Sequence, residues 1–412
     1  MDDGVPLVTA AAPRAYCLLE VPPELEAHLV PHADAPPLVL NGRAGDDAAL
    51  TTPHRTYAVR QVSQSNSLLV CGVERAPAGG VQLRLHTNAS DTLECVPTTA
   101  RVDRVADLLD ASAYTGADDD DNDDAGAGAR RYTPHELRSI VQASEAELDD
   151  ALRAHHVLLL DGHMRRVAPS LVHELLRVLV NQLDILACTP DRVPYAPTLA
   201  ALQMAARPEV AERLLCDWFC APPRPTGVPT HIALATADVA RFIGISMLRD
   251  ARRMPLVAFV DAWRAALGAL AGEAHLALLH GFFVLDPPPA SFAGTGAHAA
   301  PPADVAPDAL ARALTVAYFP HTALPLAPAA RFQQLFLARP QWVREELVPF
   351  VHALTHAHQS LDALLVKHAR ASRARWSRTH AAVLLRGEID AVGAPRAAGS
   401  ETCTLLQARV RY

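Results

Sequence analysis

A run of acidic residues near the end of the first third determines how this chain can be divided. Within seven positions it carries six carboxylates, flanked by glycine and alanine: Asp118, Asp119, Asp120, Asp121, Asp123 and Asp124. Such a segment repels itself and stays solvated, and its glycines weaken regular backbone structure. It lacks the turn glycine and distal glutamate of a calcium-binding loop. Residues 116–131 are therefore predicted to be a flexible acidic linker between separately folded parts.

The part before the linker, residues 1–115, has the pattern of a β-rich domain. Short apolar runs bounded by Pro, Gly or Asn, together with stretches of looser alternation, predict strands. Strands at such short spacing predict a small barrel or sandwich that another chain could complete. The predicted strands are 16–19, 37–40, 57–62, 67–73 and 81–85, followed by a closing helix at 102–111.

The part after the linker is predicted to be mainly helical. Two capping boxes each precede an apolar periodic stretch, and residues 157–167 predict a two-stranded ribbon that turns at Asp161 and Gly162. Two helices followed by a ribbon are typical of a winged helix, a helix-turn-helix variant. The capping boxes are Thr133 with Glu136 and Ser144 with Glu147.

A similar order of elements returns twice further along the chain. The predicted helices are 238–249, 256–267, 273–280, 343–354 and 360–371, with an apolar run at 281–285 and a ribbon at 382–385. The predicted fold class is therefore α+β, with an N-terminal β-barrel-like domain followed by tandem, mainly helical winged-helix domains. The predicted boundaries are 1–115 for the β domain, 116–131 for the linker, and 132–235, 236–337 and 338–412 for three winged helices.

The chain has one lysine, Lys367, against 36 arginines. A P-loop needs a lysine after glycine and before a hydroxyl residue, so that it can neutralise phosphates. Val366 and His368 flank Lys367, which excludes that loop. The nucleophile-elbow and dinucleotide-binding motifs are missing as well. We therefore predict a protein that is not an enzyme and needs no cofactor.

The number and spacing of the cysteines, together with the hydropathy of the sequence, indicate the cellular compartment. The seven cysteines are an odd number without repeated spacing, which is typical of reduced thiols in a cytosolic or nuclear protein. The longest apolar stretches, such as residues 274–285, fall short of the ~20 residues that cross a bilayer. The N-terminal residues lack the pattern of a secretory signal.

Two pairs of residues have the spacing of metal ligands. His352 and His356 stand four apart, with His358 nearby, but the glutamate of a His-Glu-x-x-His motif is replaced by Ala353. Cys216 and Cys220 are also four apart, and they lie beside Trp218 and Phe219. A helix face explains the first pair better, and an aromatic core explains the second, so no metal site is predicted.

The clearest functional signal is a basic cluster near the C-terminus. Residues 339–412 contain eleven basic and six acidic side chains, although the whole chain has a net charge of -8. On a helix, positions 367, 370 and 374 would share a face, and the second helix of a helix-turn-helix is the element that meets DNA. A solvated face without a ligand is the alternative, and it is favoured for the smaller cluster Arg249, Arg252 and Arg253. The main cluster comprises Lys367, Arg370, Arg373, Arg375 and Arg378, with Trp376 among them.

Short blocks along the chain resemble one known family. They are 16–20 (Tyr-Cys-Leu-Leu-Glu), 38–42, 49–52, 55–60, 65–70, 132–133, 142–148, 331–336 (Arg-Phe-Gln-Gln-Leu-Phe), Trp342, 345–350 and 361–370. In this order they resemble the Dcc (defective in sister chromatid cohesion) subunit of the alternative, cohesion-type replication factor C clamp loader. Residues 118–124 and 286–307 depart from the pattern as local expansions, which we expect to be disordered loops.

The resemblance implies a non-catalytic protein of the nucleus. In this family the N-terminal β domain joins a small companion subunit and the C-terminal tail of the large clamp-loader subunit in a shared barrel. The tandem winged helices contact the catalytic subunit of polymerase epsilon and bind DNA. The whole assembly loads the PCNA sliding clamp and supports sister chromatid cohesion.

The resemblance also assigns candidate residues. The DNA-binding set is Lys367 and Arg370, with Arg373, Arg375 and Arg378 added on charge alone. The polymerase-binding set comes from the first winged helix and its ribbon: Glu147, Arg153, Arg165 and Arg166. Two other functions stay open, a sequence-specific winged-helix transcription regulator and an enzyme with an unrecognised site.

Overall fold

The computed structural model describes residues 7–9, 16, 18–29, 38–43, 45–63, 65–77, 79–116, 129–295, 307–355, 360–377 and 400–409. The chain forms two compact units, the first from residues 1–105 with 132–151 and the second from 106–131 with 152–412. Each unit contains helices and several small sheets, so the predicted α+β class is confirmed. The predicted division into three winged-helix domains stays a prediction, and residues 117–128 of the predicted linker lie outside the described residues.

The described strands of the first unit form two open sheets rather than a closed barrel. The five-stranded sheet has the order β2-β8-β5-β4-β3, and the three-stranded sheet has the order β1-β7-β6. The strands are β1 (Leu7–Thr9), β2 (Leu18–Glu20), β3 (Val39–Asn41), β4 (Ala49–Thr51), β5 (Thr56–Ser63), β6 (Leu69–Arg75), β7 (Val81–Asn88) and β8 (Asp91–Pro97). The helices are α1 (Pro23–Leu29), α2 (Arg104–Leu109), α3 (Pro134–Ile140) and α4 (Glu145–Ala154), with the unit boundary falling inside α2 and α4.

The predicted strands of the first unit are largely correct, but four of its elements were not predicted. β5 and β7 cover the predicted ranges, and β2, β3 and β6 overlap theirs. The unpredicted elements are α1, β1, β4 and β8, whose sequence patterns are weak because each is short or interrupted by polar residues. Of these, α1, β4 and β8 build a small core with β5 from Leu25, Leu50, Tyr57 and Cys95.

Both predicted capping boxes are confirmed. At α3 the Glu136 amide donates to the Thr133 hydroxyl (3.3 Å), and the Thr133 amide donates to the Glu136 carboxylate (2.9 Å). At α4 the Glu147 amide donates to the Ser144 hydroxyl (3.3 Å), and the Ser144 amide donates to the Glu147 carboxylate (3.0 Å). These reciprocal bonds satisfy amides that a helix start leaves without partners.

The predicted ribbon is confirmed in the second unit. β9 (Val157–Leu160) pairs antiparallel with β10 (His163–Arg166). Asp161 and Gly162 both have positive φ angles, 51° and 78°, as a two-residue hairpin turn requires. The long α5 (Pro169–Ile185) follows, with a buried face against α6, α8 and α9, and no helix was predicted there.

The remaining helices and strands of the second unit alternate along the chain. The helices are α6 (Tyr195–Leu202), α7 (Pro208–Arg213), α8 (Thr236–Ala251), α9 (Leu256–Leu267), α10 (Pro307–Ala313), α11 (Pro328–Ala338), α12 (Arg344–Val351) and α13 (Leu361–His368). The strands are β11 (Val193–Pro194), β12 (His231–Ile232), β13 (Arg253–Pro255), β14 (Phe283–Asp286), β15 (Gly294–Thr295), β16 (Thr315–Tyr318), β17 (Gln341–Val343), β18 (Ala369–Ser377) and β19 (Ser400–Ala408).

These strands form small sheets with the orders β10-β9, β11-β12, β13-β16-β14 and β15-β18-β19-β17. Helices predicted at 238–249 and 256–267 correspond to α8 and α9. The α-helix predicted at 273–280 is wrong, because a 3-10 turn, Leu276–Leu279, occupies that stretch. The ribbon predicted at 382–385 lies outside the described residues.

A second core in this unit forms around α11, α12 and α13, with Phe332, Trp342 and Phe350 fully buried. Arg331 is also buried, and its guanidinium donates to the backbone carbonyls of three residues. The acceptors are Leu324 (3.0 Å), Pro325 (2.7 Å) and Phe350 (2.9 Å).

In the part of the chain that the structure describes, no helix is both long and apolar enough to span a membrane.

Candidate functional sites

The predicted DNA-binding residues do not share one helix. α13 ends at His368, and β18 begins at the next residue. Lys367 therefore lies in the last turn of a helix, whereas Arg370, Arg373 and Arg375 lie on a strand. The helical stripe predicted through positions 367, 370 and 374 is wrong, because residues from 369 onward pair with β19 along its whole length. Arg378 lies outside the described residues.

The strand separates its side chains by alternation. Ala374 and Trp376 are buried, whereas Arg373 and Arg375 are exposed. Because successive side chains of a strand point to opposite faces, the two arginines share the solvated face. Trp376 belongs to the core of the second unit and is not an exposed surface on which bases could stack.

Lys367, Arg373 and Arg375 are named here the basic surface. Among the described residues, none of these three side chains makes a salt bridge or a side-chain hydrogen bond, so their charges are available to a ligand. The neighbouring Asp362 is held by Arg344 at 2.7 Å. The surface therefore has the charge that binding of backbone phosphates requires.

His368 adds no charge to the basic surface. Its ring stacks on Phe332, with 4.9 Å between centroids and 14° between planes. Burial, assisted by the nearby Lys367, lowers the pKa of His368 from 6.5, so the ring is neutral at pH 7. The smaller arginine cluster is mostly engaged within the chain: Arg249 pairs with Asp250, Arg253 with Asp286, and Arg252 lies over the Tyr318 ring.

The predicted polymerase-binding residue Glu147 has an internal role. Its carboxylate accepts hydrogen bonds from the Thr56 hydroxyl (2.6 Å), the Ser144 amide (3.0 Å) and the Ser144 hydroxyl (2.7 Å). Thr56 and Ser144 are both buried. Glu147 therefore fastens the start of α4 to β5 inside the first unit.

We expect Glu147→Ala to reduce the free energy of unfolding of the first unit by about 2 kcal/mol, because it removes a cap and leaves two buried hydroxyls without an acceptor for their protons. Glu147→Gln keeps an acceptor and should cost less. Glu145→Ala, at an exposed position one residue into the same helix, is the matched control. Urea unfolding followed by circular dichroism measures the change. Equal stability of the Glu147 and Glu145 variants would show that the network contributes little.

The three predicted polymerase-binding arginines also have partners within the second unit. Arg153 donates to Asp217 at 3.0 Å, and Arg166 pairs with Asp110. Arg165 is buried, and its guanidinium donates to the carbonyls of Ser112 and Ala113. The sequence pattern of a basic ribbon could not reveal these partners, since all of them come from distant positions.

The structure describes one histidine and both cysteines of the two pairs that have the spacing of metal ligands. His352 is exposed, and His356 and His358 lie outside the described residues. Cys220 is buried, Cys216 is half-buried, and burial raises the pKa of both thiols, as in a core. In the described ranges no group of three or more His, Cys, Asp or Glu side chains is arranged to hold a metal ion.

A different kind of surface lies on the first unit, where apolar side chains are exposed on strands at sheet edges. β2 and β3 are the edges of the five-stranded sheet, and β6 is an edge of the three-stranded sheet. Leu40 on β3 is 69% exposed and Val73 on β6 is 72% exposed. Exposed apolar groups beside unpaired backbone groups are typical of a surface that pairs with another chain. Leu19, Val39, Leu40, Leu69 and Val73 are named here the edge residues.

One known protein family has a sequence model that matches most of the chain. The sequence model of the family described as "Sister chromatid cohesion protein Dcc1" matches residues 16–351. That range includes both units up to α12, but it ends before α13 and the basic surface.

Individual relatives cover more of the chain. The chain is 23% identical over 372 residues to "Sister chromatid cohesion protein DCC1" of Mus musculus, covering 88% of this chain and 86% of the relative. It is 23% identical over 379 residues to the Homo sapiens protein of the same name, covering 89% and 88%. For the Danio rerio protein the identity is 24% over 369 residues, covering 87% and 86%.

Proposed function

The chain belongs to the sister chromatid cohesion protein Dcc1 family, and from this we propose that it is a non-catalytic accessory subunit of the alternative replication factor C complex. In this role it acts in the nucleus, joins the large and small accessory subunits of the loader, and tethers them to polymerase epsilon and DNA. It thereby helps to load the PCNA sliding clamp during the establishment of sister chromatid cohesion.

The main support for this proposal comes from the edge residues of the first unit. Among the described strands, two open sheets with exposed Leu and Val on edge strands leave both apolar area and backbone hydrogen-bonding groups for a partner. We propose that strands of the small companion subunit and of the large subunit's C-terminal tail pair there and complete a barrel. A transcription regulator that worked alone would gain nothing from such edges.

We expect Leu40→Asp with Val73→Asp to weaken assembly with these partner segments by at least about 30-fold, because each aspartate would be buried without a partner in an apolar contact. Both side chains are exposed, so the isolated fold should keep its melting temperature. Size-exclusion chromatography and calorimetric titration with the two purified partner segments measure the change.

Val228→Asp is the matched control, since Val228 is 90% exposed but lies on the second unit. It should assemble as the unchanged chain does. If the Leu40 and Val73 variant also assembled normally, the partners would have to use another surface.

Contacts with polymerase epsilon are proposed for the helices and ribbon that follow the linker. α3, α4 and the β9–β10 hairpin follow one another in the order of a winged helix, which supports a winged-helix assignment. Glu147, Arg153, Arg165 and Arg166 hold internal bonds, so we propose that the contact uses exposed neighbours on the same elements, such as Leu159. Hydrogen exchange with and without the polymerase catalytic domain would locate it.

DNA binding is proposed for the basic surface together with Arg370 and Arg378. In the described part of this surface Trp376 is buried, and cations without an exposed aromatic neighbour support phosphate contacts that do not read sequence. Selection from random DNA should therefore yield no preferred motif, whereas a sequence-specific transcription regulator would yield one. Affinity purification followed by mass spectrometry tests the whole proposal, which requires recovery of replication factor C subunits.

A further inference from the structure

A cleft of 520 Å³ opens beside the basic surface, wholly within the second unit. α12 and α13 form one side of it, and β18 and β19 form the other. Arg344, Arg370 and Arg409 supply three positive charges to its lining, and Asp362 supplies one negative charge. None of the three residues of the basic surface lines it, so the cleft and the basic surface are neighbouring but separate features.

The charged side chains that line the cleft are not equally available to a ligand. Arg344 and Asp362 pair with each other at 2.7 Å, which neutralises both. Arg409 donates to the carbonyl of Val366. The side chain of Arg370 is exposed and makes no hydrogen bond or ion pair with any described residue. The charge left for a ligand is therefore positive, and it resides mainly on Arg370 and Arg409.

The rest of the lining is largely apolar. Leu365, Val366, Ala369, Ala371 and Leu406 contribute aliphatic surface, and Val366 is 67% exposed. A ligand that fills the cleft must therefore present apolar groups next to negative charge. Among the described lining residues none is aromatic, so the described part of the cleft offers nucleobases no stacking partner.

We propose that this cleft binds an acidic peptide segment of a partner protein, in which glutamate or aspartate residues stand next to aliphatic ones. The planar guanidinium groups of Arg370 and Arg409 suit carboxylates, which they can hold through two parallel hydrogen bonds. An aliphatic side chain of the same peptide covers Val366. A DNA duplex fits less well, because its phosphates lie on a convex surface and need no apolar floor.

This binding goes beyond the clamp-loader role, and its test separates the two. The probe is a fluorescein-labelled peptide of Glu-Leu-Glu-Gly repeats, titrated with the full chain at low salt and followed by fluorescence anisotropy. We expect Arg370→Glu with Arg409→Glu to weaken peptide binding more than about tenfold, because two carboxylate contacts become repulsive. Arg370→Glu alone changes an exposed side chain that makes no hydrogen bond or ion pair with a described residue, so it should leave folding unchanged. We expect it to weaken peptide binding by a smaller factor than the double variant does.

Arg373→Glu with Arg375→Glu is the matched control, because it makes the same change of charge on the strand that carries Arg370 but outside the cleft. It should leave peptide binding within about twofold and should weaken binding to a labelled DNA duplex. The proposal is overturned if a matching Gln-Leu-Gln-Gly peptide binds equally well, or if Arg370→Glu leaves the acidic peptide unaffected. It is also overturned if the Arg370 and Arg409 variant loses only DNA binding, which would assign the cleft to nucleic acid.

Discussion

Reversing the three charges of the basic surface, as Lys367→Glu, Arg373→Glu and Arg375→Glu, is expected to weaken DNA binding by at least about 100-fold at about 50 mM salt. All three side chains are exposed and none is held by a described acid, so each is free to neutralise a phosphate. Reversal removes three attractions and introduces three repulsions. Anisotropy titrations with labelled duplexes of unrelated sequence measure the effect.

The salt dependence provides a second and more specific readout. Each phosphate contact contributes about 0.9 to the slope of log K against log salt, so three lost contacts should flatten the slope by about 3. The loss should be similar for every duplex sequence, because phosphate contacts position a protein without reading bases. A loss confined to one sequence would instead favour direct base contacts.

A charge-matched control distinguishes a local surface from a general effect of net charge. Arg43→Glu, Arg138→Glu and Arg192→Glu change the net charge by the same amount at exposed positions elsewhere. This variant should lose much less affinity. If both triple variants lost affinity equally, DNA would be attracted by the overall charge of the chain, and the basic surface would have no special role.

Local signals in the sequence predicted local structure well. The Ser/Thr-x-x-Glu spacing predicted both capping boxes, and Asp161-Gly162 predicted the hairpin turn, because a few neighbouring side chains decide these features. α5 was not predicted, although its apolar residues recur at helical spacing, and it begins with Pro169 without a side-chain cap that would mark its start. The class α+β followed from these signals together.

Tertiary context decided what the sequence could not. Residues after His368 have helical spacing of charge, but pairing of β18 with β19 and burial of Ala374 and Trp376 place them in a strand. The same holds for the polymerase-binding set. Arg165 and Glu147 resemble exposed surface charges in sequence, yet distant partners such as Ser112 and Thr56 engage them inside their units.

The ion pair between Arg339 and Glu346 is expected to control the stability of the second unit in a pH-dependent way. The two side chains lie 2.6 Å apart and are almost completely buried. Burial raises the pKa of Glu346 from 4.5 to about 7, against the opposing effect of Arg339. The folded state therefore keeps this proton to higher pH than the unfolded state, so this group's contribution to stability falls as pH rises from about 4.5 to about 7.

Arg339→Met should deepen that loss, because it leaves a buried carboxylate without a cation. We expect it to lower the free energy of unfolding by about 3–5 kcal/mol at pH 8, and by much less at pH 5, where Glu346 is protonated in the folded state. Adding Glu346→Leu should restore most of the stability and remove the pH dependence. Urea unfolding at both pH values measures all three proteins.

Arg344→Met is the matched control, since it removes an arginine from the exposed pair with Asp362 on the same helix as Glu346. An exposed pair contributes less than about 1 kcal/mol, so this variant should change stability little at either pH. If Arg339→Met lost the same free energy at pH 5 and pH 8, the loss would come from contacts that do not titrate. These are the hydrogen bond to the Leu285 carbonyl and the packing on the Trp342 ring, over which the guanidinium lies at 5.2 Å. Only a loss that grows with pH identifies the unpaired carboxylate as its cause.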